Sequence, residues 1–195
     1  MDLQKLLHFV RFSQLFREVE RKVLIKKSQR PEGDAEHSFQ LALVAWYLID
    51  SNKLHLNTDR VIKYALVHDL VETYAGDTPM NSKDKEYLES KAEREKAAEI
   101  KIQKEFPEFP ELIQSLHDYE KRKDNESKFV YALDKLLPPL NIYLEDGYSW
   151  KMNDVSLDLI ITSKKEKIII SLEIKNYFDQ LVELLKKDEN RLFNK

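Results

Sequence analysis

The sequence contains no cysteine, and this absence excludes disulfide bonds, cysteine-ligated zinc sites and iron–sulfur clusters. Glycine and proline are also scarce, with 3 and 6 residues among 195. Sheets and barrels need more turn residues than this, so the composition predicts a helical protein. No apolar run reaches the roughly 18 residues of a membrane-spanning helix, and the N-terminus lacks the pattern of a signal peptide. We therefore expect a cytoplasmic protein with no membrane partner.

The two signs of charge are nearly balanced, with 32 Lys and Arg against 35 Asp and Glu and a net charge of −3. A nucleic-acid-binding domain shows clustered basic residues, whereas here the two signs are interspersed. We therefore expect no nucleic-acid polymer as a partner. The length suits one domain with a substantial core and argues against a second full domain.

Apolar residues at helical spacing, together with capping and breaking residues, divide the chain into helices. Asn57 and Asp34 are each predicted to cap a helix, and Pro138-Pro139 is predicted to end or kink another. The segment 157–172 is rich in β-branched residues and could form a helix or a hairpin, but its helical surroundings favour a helix. The predicted helices span about 3–19, 35–51, 58–69, 82–106, 111–121, 127–137, 157–172 and 174–192.

A His-Asp pair, His68-Asp69, closes one apolar helical run. Two adjacent residues of metal-ligand type are costly to bury without a partner. Glu72 follows at i+4 from His68 and i+3 from Asp69, so on a continuous helix it would share a face with either. A Gly-Asp-Thr-Pro turn at residues 76–79 comes next.

Two further polar residues, His37 and Asp134, also lie within apolar helical stretches. A lone histidine at a helix start is more often a cap or a surface residue, and a lone aspartate in an apolar helix more often points outward. However, His37, His68, Asp69 and Asp134 are all good ligands for divalent metals and could converge inside one helical bundle. The spacing alone leaves both interpretations open.

Four segments carry a resemblance to a known family: residues 30–38, 65–72, 76–79 and 128–135. Together they resemble the HD-domain phosphohydrolase superfamily, and within it the small single-domain 5′-deoxynucleotidases. The His…His-Asp…Asp pattern is common to the superfamily, whereas the Arg-Pro-Glu…Glu-His and Glu-x-x-x-Gly-Asp-x-Pro elements are specific to this branch. The resemblance implies an all-α fold, a single HD-type helical bundle over residues 1–195. Its core would lie at about 3–145, with C-terminal helices at about 154–192 packed on it.

The resemblance also implies that one divalent transition metal binds between the helices. The implied ligands are His37, His68, Asp69 and Asp134. Two imidazoles and two carboxylates suit Mn²⁺, Co²⁺, Fe²⁺, Ni²⁺ or Zn²⁺ better than Mg²⁺ or Ca²⁺. The implied activity is that of a phosphomonoesterase that dephosphorylates deoxyribonucleoside 5′-monophosphates. A nucleotide or another phosphate ester is therefore the expected ligand, and a homodimer is expected from the family.

Two acidic residues near the His-Asp pair are the predicted catalytic groups, Glu72 and Asp77. Glu72 would position the attacking water or accept its proton. Asp77 would orient the water, protonate the leaving 5′-oxygen or hold a ribose hydroxyl. The alternatives are a surface glutamate for Glu72 and ordinary turn chemistry for Asp77.

A phosphate monoester carries nearly two negative charges, so cationic residues are expected near the metal. Related deoxynucleotidases have an arginine about fifteen residues before the first histidine, and here that position is Lys22, with Arg21 beside it. A solvated basic surface is the alternative for these cations. The residues predicted to bind substrate are Arg21, Lys22, Arg30 and Thr78.

Other activities on the same scaffold remain as alternatives. They are a phosphodiesterase, a nucleoside-triphosphate hydrolase or a non-catalytic nucleotide-binding domain. Binuclear members of the superfamily bring extra histidines between the His-Asp pair and the last aspartate, and only His117 lies there. One histidine is too few for a second metal, so His117 is predicted to be structural or to support the ligands from outside the ligand set.

Overall fold

A computed structural model describes residues 2–78 and 84–194 and shows a helical bundle with one small hairpin. The predicted helical class is therefore confirmed. None of the helices in the described residues is long and apolar enough to cross a membrane. In chain order the elements are α1 (Leu3–Arg17), β1 (Glu20–Ile25), β2 (Arg30–Gly33), α2 (Asp34–Ser51), α3 (Thr58–Val67), α4 (Glu72–Ala75), α5 (Lys85–Glu89), α6 (Lys91–Glu105), α7 (Pro110–Lys121), α8 (Asn125–Leu144), α9 (Tyr148–Met152), α10 (Leu157–Ile168), α11 (Leu172–Lys187) and α12 (Glu189–Leu192).

Short polar side chains cap the helices that build the centre of the bundle. Asn57 accepts a hydrogen bond from the Arg60 amide at the start of α3, as predicted. Asp124 accepts from the Ser127 amide at 2.7 Å and caps α8. Such caps satisfy amides that have no partner within the first turn. They fix where α3 and α8 begin, and with that the positions of the polar residues further along both helices.

The main hydrophobic core lies where α2, α3 and the C-terminal helices surround α8. Leu133 of α8 is fully buried in the same cluster as Leu41 of α2 and Val61 of α3. From the other side, Ile168 of α10 and Leu185 of α11 enter this cluster, also fully buried. Segment 157–172 thus contains the helix α10, and the hairpin alternative is wrong. Alpha-helical spacing places its buried isoleucines on one face against α8.

A second, smaller cluster joins α1 to α6 and α7. Phe12 of α1 packs on Phe106, with ring centroids 5.1 Å apart, and Ile102 and Leu112 complete the contact. The predicted polar helix from residue 82 is instead divided into α5 and α6, which meet at Ser90. Residues 82–83 lie outside the described part of the chain. The predicted last helix is likewise divided into α11 and α12.

Helix α8 continues through Pro138 and Pro139 to Leu144, so the prolines do not end it. A proline inside a helix removes one backbone hydrogen bond and crowds the preceding turn. Both rings are buried, and burial of their apolar surface offsets part of that cost. Tertiary packing therefore overrides the local breaking signal.

A β-hairpin precedes α2 and was not predicted from the sequence. Strands β1 and β2 pair antiparallel with Glu20 opposite Gly33 and an irregularity before Leu24. The hairpin is tied to the C-terminal part of the chain, because the Leu24 amide donates to Ser149 Oγ at 3.1 Å. Charged residues in β1 and the Pro and Gly of β2 are depleted in strands, which hid this element.

Two local predictions next to the hairpin and α3 are wrong. Asp34 does not cap α2: it is the first helical residue, and Gly33 occupies the cap position. The Gly33 amide instead donates to Glu36 Oε2 at 3.0 Å, which leaves the Asp34 side chain free to turn inward. In addition, α3 ends at Val67 and α4 begins at Glu72. His68, Asp69 and Glu72 therefore do not lie on one continuous helix.

Candidate metal centre

The four predicted metal ligands come together in the centre of the bundle. His37 comes from α2, His68 and Asp69 from the end of α3, and Asp134 from α8. One potential ligand atom from each of the four lies within 4.8 Å of the others. His37, His68 and Asp134 are buried, whereas Asp69 is partly exposed. The cluster is therefore closed by protein on most sides and reached through the side of Asp69.

The imidazole of His68 is oriented by its second nitrogen, whereas Nδ1 of His37 has no hydrogen-bond partner among the described residues. Nδ1 of His68 lies 2.9 Å from the carbonyl oxygen of Ala65, to which it donates, so Nε2 points into the cluster. Nε2 of His37 lies 2.9 Å from Asp134 Oδ1, and its Nδ1 lies 3.7 Å from Glu32 Oε2. A carbonyl or carboxylate behind a metal-binding imidazole is the usual arrangement, because it fixes ring orientation and tautomer.

The contacts inside the cluster fit a bound cation. Nε2 of His68 is 2.8 Å from Asp69 Oδ2 but has no hydrogen-bond partner among the described residues. An imidazole lone pair and a carboxylate oxygen this close repel each other unless a proton or a metal ion compensates them. Two imidazoles and two carboxylates supply mixed nitrogen and oxygen donors, which suits a divalent transition metal.

Charge states in the cluster also agree with metal binding. Burial lowers the pKa of His37 to about 4, so this imidazole is neutral at pH 7. Burial alone would raise the pKa of Asp69 and Asp134, but the charges around them outweigh it and both pKa values are lowered. For Asp69 the opposing charges are chiefly His68 and Arg21, and for Asp134 chiefly Lys135. The ligand set is thus two carboxylates ionised at neutral pH and at least one neutral imidazole.

Arg21 of β1 holds the acidic side chains next to the cluster. Its Nη1 lies 3.0 Å from Asp34 Oδ1 and 2.8 Å from Asp69 Oδ2, and its Nε lies 3.5 Å from Glu32 Oε2. Burial alone would lower the pKa of Arg21, but the charges of Asp69, Asp134 and Asp34 raise it. A single guanidinium therefore compensates several buried carboxylates at once.

Glu72 lies among other carboxylates beside the ligands. Ligand atoms of Asp34, Asp69 and Glu72 lie within 4.8 Å of one another, and Glu72 is 5% exposed. Burial, followed by the charges of Asp69, Asp34 and Asp77, raises the pKa of Glu72 to about 10. Burial and Asp69 also raise the pKa of Asp34, to about 6. Among the protein's own charges, Glu72 is therefore protonated at neutral pH.

The other predicted site residues divide into those near the centre and those away from it. Asp77 lines a cavity together with Arg21 and Lys22, and burial raises the Asp77 pKa. Lys22 is exposed at the rim of this cavity. Arg30 is not brought to the centre: it is exposed and ion-paired with Glu36 at 2.6 Å, because its place in β2 turns it outward.

Thr78 is fixed by Arg94, a residue that the sequence analysis missed. Arg94 Nη2 donates to Thr78 Oγ1 at 2.7 Å and to the Tyr87 carbonyl at 3.1 Å. Gly76, with φ of +74°, allows the chain to turn here. Arg94 thereby holds the segment that carries Asp77, and Thr78 already has a partner in this arrangement. Pro79, the last residue of the predicted turn motif, lies outside the described residues.

Three further residues of the centre were also missed: Glu32, Asp34 and Lys135. Lys135 Nζ lies 2.5 Å from Asp134 Oδ2. Glu32 and Asp34 are buried and flank the Arg21 guanidinium. In Glu32-Gly33-Asp34 two acidic residues are separated by one residue, as on one face of a strand. This pattern could have been interpreted only if the β-hairpin had been predicted. His117, in contrast, contacts Glu99 and is not part of the cluster.

A cavity of about 190 Å³ opens beside the metal centre. Arg21 and Asp77 line this cavity, and Arg21 also contacts Asp69 of the cluster. Its remaining walls come from β1, α8, α9 and α10, and they are mostly apolar. The apolar lining residues are Val23, Pro138, Pro139, Ile142, Trp150, Val155, Leu159 and Ile160. A concave apolar site with a few convergent polar groups is typical of small-molecule binding.

Comparison with known proteins gives consistent matches. A family model described as HD domain matches residues 13–174. The human 5′-deoxynucleotidase HDDC2 is 34% identical over 136 residues, 68% of this chain. A 5′-deoxynucleotidase of Pasteurella multocida is 35% identical over 104 residues, 50% of this chain. The chain spans 64% of the length of the human protein and 53% of the bacterial one.

Solved structures show the same architecture. The crystal structure of a predicted metal-dependent phosphohydrolase from Magnetospirillum magnetotacticum matches with a TM-score of 0.82 and 28% identity. That match covers 98% of this chain and 96% of the other. A conserved hypothetical protein from Pyrococcus furiosus shares the fold with a TM-score of 0.62 at 20% identity, covering 95% of this chain and 99% of that one.

Proposed function

The chain belongs to the HD domain family, and on this basis we propose that it is a metal-dependent phosphohydrolase acting on deoxyribonucleoside 5′-monophosphates. One observation carries the proposal: four potential ligands, three of them buried, converge beside a cavity lined by Arg21, whose guanidinium also contacts Asp69. The substrate class is supported by the matched relatives, several of which are named 5′-deoxynucleotidases. The products would be a deoxynucleoside and inorganic phosphate.

The metal in this proposal is Mn²⁺, Co²⁺, Fe²⁺, Ni²⁺ or Zn²⁺, held by His37, His68, Asp69 and Asp134. When bound, such an ion acts as a Lewis acid toward phosphoryl oxygen and lowers the pKa of water. The protein holds its donors in place before binding, because His68 is oriented by the Ala65 carbonyl and Asp69 by Arg21. Preorganised ligands lose little conformational freedom on binding.

Glu72 and Asp77 are assigned to proton transfer and substrate positioning. Burial, together with the charges of Asp69, Asp34 and Asp77, keeps Glu72 protonated in the metal-free protein. Compensation of those charges lowers its pKa, and the carboxylate then accepts a proton from the attacking water. Asp77 on the cavity wall is placed to orient the water or to protonate the leaving 5′-oxygen.

Arg21 and Lys22 are assigned to substrate binding, Arg21 at the centre and Lys22 at the rim. Thr78, although hydrogen-bonded to Arg94, adjoins Asp77 and stays a candidate for the same role. Arg30 is exposed and paired with Glu36, away from the four ligands, so it is not proposed as a substrate-binding residue. The homodimer and the cytoplasmic location stay predictions.

A substrate panel tests the proposed function. Protein loaded separately with Mn²⁺, Co²⁺ or Zn²⁺ is assayed for phosphate release from dAMP, dGTP, a cyclic nucleotide and a generic phosphate ester. Release from dAMP well above the generic ester is expected. Pyrophosphate or triphosphate release from dGTP, or opening of the cyclic nucleotide, would refute the monophosphatase assignment. Nucleotide binding without turnover in any metal form would support a non-catalytic domain instead.

A further inference from the structure

Helix α10 contributes a lysine to the cavity beside the metal centre. Lys164 lines this cavity together with Arg21, Asp77 and apolar residues that include Trp150. It is half-buried rather than extended into solvent. The charges of Lys135, Asp134, Lys167 and Arg21 all act on it, so its ammonium group lies within electrostatic reach of the metal centre.

Lys164 differs from Arg21 and Lys135 because it has no protein partner among the described residues. Arg21 is bonded to Asp34 and Asp69, and Lys135 is bonded to Asp134. Within residues 2–78 and 84–194, Lys164 makes no hydrogen bond or ion pair. Burial and the like charge of Lys135 lower its pKa to about 8. An ammonium group removed from water without an anion is unfavourable, so this position is suited to an anionic ligand.

We propose that Lys164 binds the phosphoryl group of the substrate. The inference rests on the proposed function for the identity of the substrate, but not for the chemistry of the ligand. A nucleobase presents neutral acceptors, which would not compensate the charge, whereas a phosphate monoester carries nearly two negative charges. Lys164 lines the same cavity as Arg21, whose guanidinium contacts the predicted ligand Asp69, and the charges of Lys135 and Asp134 also act on Lys164. The apolar wall is then left for the nucleoside.

Binding of inorganic phosphate to the Mn²⁺-loaded full-length protein tests the assignment. Lys164→Met keeps most of the apolar stem and removes the charge. Lys165→Met, one residue along α10 and exposed, is the matched control. Calorimetry is expected to show about tenfold or weaker phosphate affinity in the first variant, in line with the loss of a charge-assisted hydrogen bond, and no change beyond about twofold in the second. Lys164→Arg should restore part of the affinity.

A merely structural role would have a different signature. Since Lys164 has no partner in the described residues, Lys164→Met should melt at the same temperature as wild type or higher. Its affinity for deoxyadenosine, which lacks phosphate, should be unchanged. Equal phosphate affinity in Lys164→Met and wild type, no phosphate binding by wild type, or an equal loss toward deoxyadenosine would each overturn the proposal. Failure to hydrolyse dAMP, with phosphate binding still dependent on Lys164, would refute only the proposed function.

Discussion

Nη1 of Arg21 lies 2.8 Å from Oδ2 of Asp69, and this contact ties the β-hairpin to a predicted metal ligand. The same guanidinium nitrogen lies 3.0 Å from Asp34 Oδ1. Arg21 therefore compensates the carboxylates of the centre while it also faces the cavity. A phosphate that enters the cavity competes with Asp34 and Asp69 for this guanidinium, so substrate binding and the ligand geometry are coupled through one side chain.

Removal of the His-Asp pair should abolish metal binding and turnover together. His68→Ala and Asp69→Ala each delete one of four ligands, and we expect at least about a hundredfold loss of metal affinity, since even outer partners of a ligand cost 10–100-fold. Metal content of the purified protein and phosphate release are the two measurements. Asp50→Ala, at an exposed position on α2, is the control. A variant that keeps full metal content would exclude the residue from the ligand set.

Replacement of Glu72 should separate metal binding from turnover. Glu72→Gln keeps the shape of the side chain and one hydrogen-bonding oxygen but cannot accept a proton. We expect metal content close to wild type and a fall in kcat of about 10²–10⁴, the usual contribution of general acid–base catalysis. Glu93→Gln, on the exposed face of α6, should match wild type. Wild-type turnover in Glu72→Gln would remove Glu72 from the catalytic groups.

Loss of the Arg21 charge should destabilise the metal-free protein strongly. Arg21→Met leaves Asp34, Asp69 and Glu32 without their shared cation, and breaking a buried ion pair costs about 3–5 kcal/mol. Urea unfolding in the presence of a chelator measures the effect. Arg30→Met breaks an exposed pair with Glu36 and should change the free energy of unfolding little. Similar unfolding midpoints for the two variants would show that Arg21 does not compensate the buried carboxylates.

The metal-free protein should lose stability as the pH rises through the neutral range. The pKa of Glu72 is raised to about 10 in the folded state, above its ordinary value of about 4.3. The folded state therefore binds more protons, so the stabilisation is complete below the ordinary value and is lost as pH rises toward the folded pKa. Burial also raises the pKa of Glu32, to about 7, and this adds to the loss of stability as pH rises.

A comparison of two proteins isolates the Glu72 contribution. In Glu72→Gln no proton is exchanged at this position, so its melting temperature relative to wild type should increase between pH 5 and pH 9 in the presence of chelator. His37 affects the stability of the folded state in the opposite direction, at lower pH. Its pKa is lowered to about 4, so stability is lost as pH falls from about 6.5 toward 4. A pH-independent difference between the variants would contradict the raised pKa of Glu72.

The sequence was most informative where chemistry and helical periodicity coincide. His37, His68, Asp69 and Asp134 were each identifiable as polar residues in apolar helical runs, and the bundle brings them together. Where a helix ends depended on tertiary packing, which periodicity does not show. Helix α8 continues through two prolines, both of which are buried.

The acidic and basic groups around the ligands were much harder to predict. Aspartate is a residue type that commonly caps helices, and only the observed hairpin explains why the Asp34 side chain turns to Arg21 instead. The hairpin itself is held by distant contacts such as that of Leu24 with Ser149, which no local pattern encodes. Lys164 comes from a helix more than a hundred residues from Arg21 in the chain, so their shared cavity is a property of the tertiary structure alone.

The two prolines of α8 have a consequence for local opening of the backbone. Because Pro138 and Pro139 carry no amide proton, the carbonyls of Asp134 and Lys135 lack the donor that the next helical turn would normally supply. The turn that presents the predicted ligand Asp134 thus has two fewer backbone hydrogen bonds than a regular helical turn. Metal binding to the folded state should stiffen this turn, and amide exchange at residues 130–137 should slow on metal addition by more than exchange in α11.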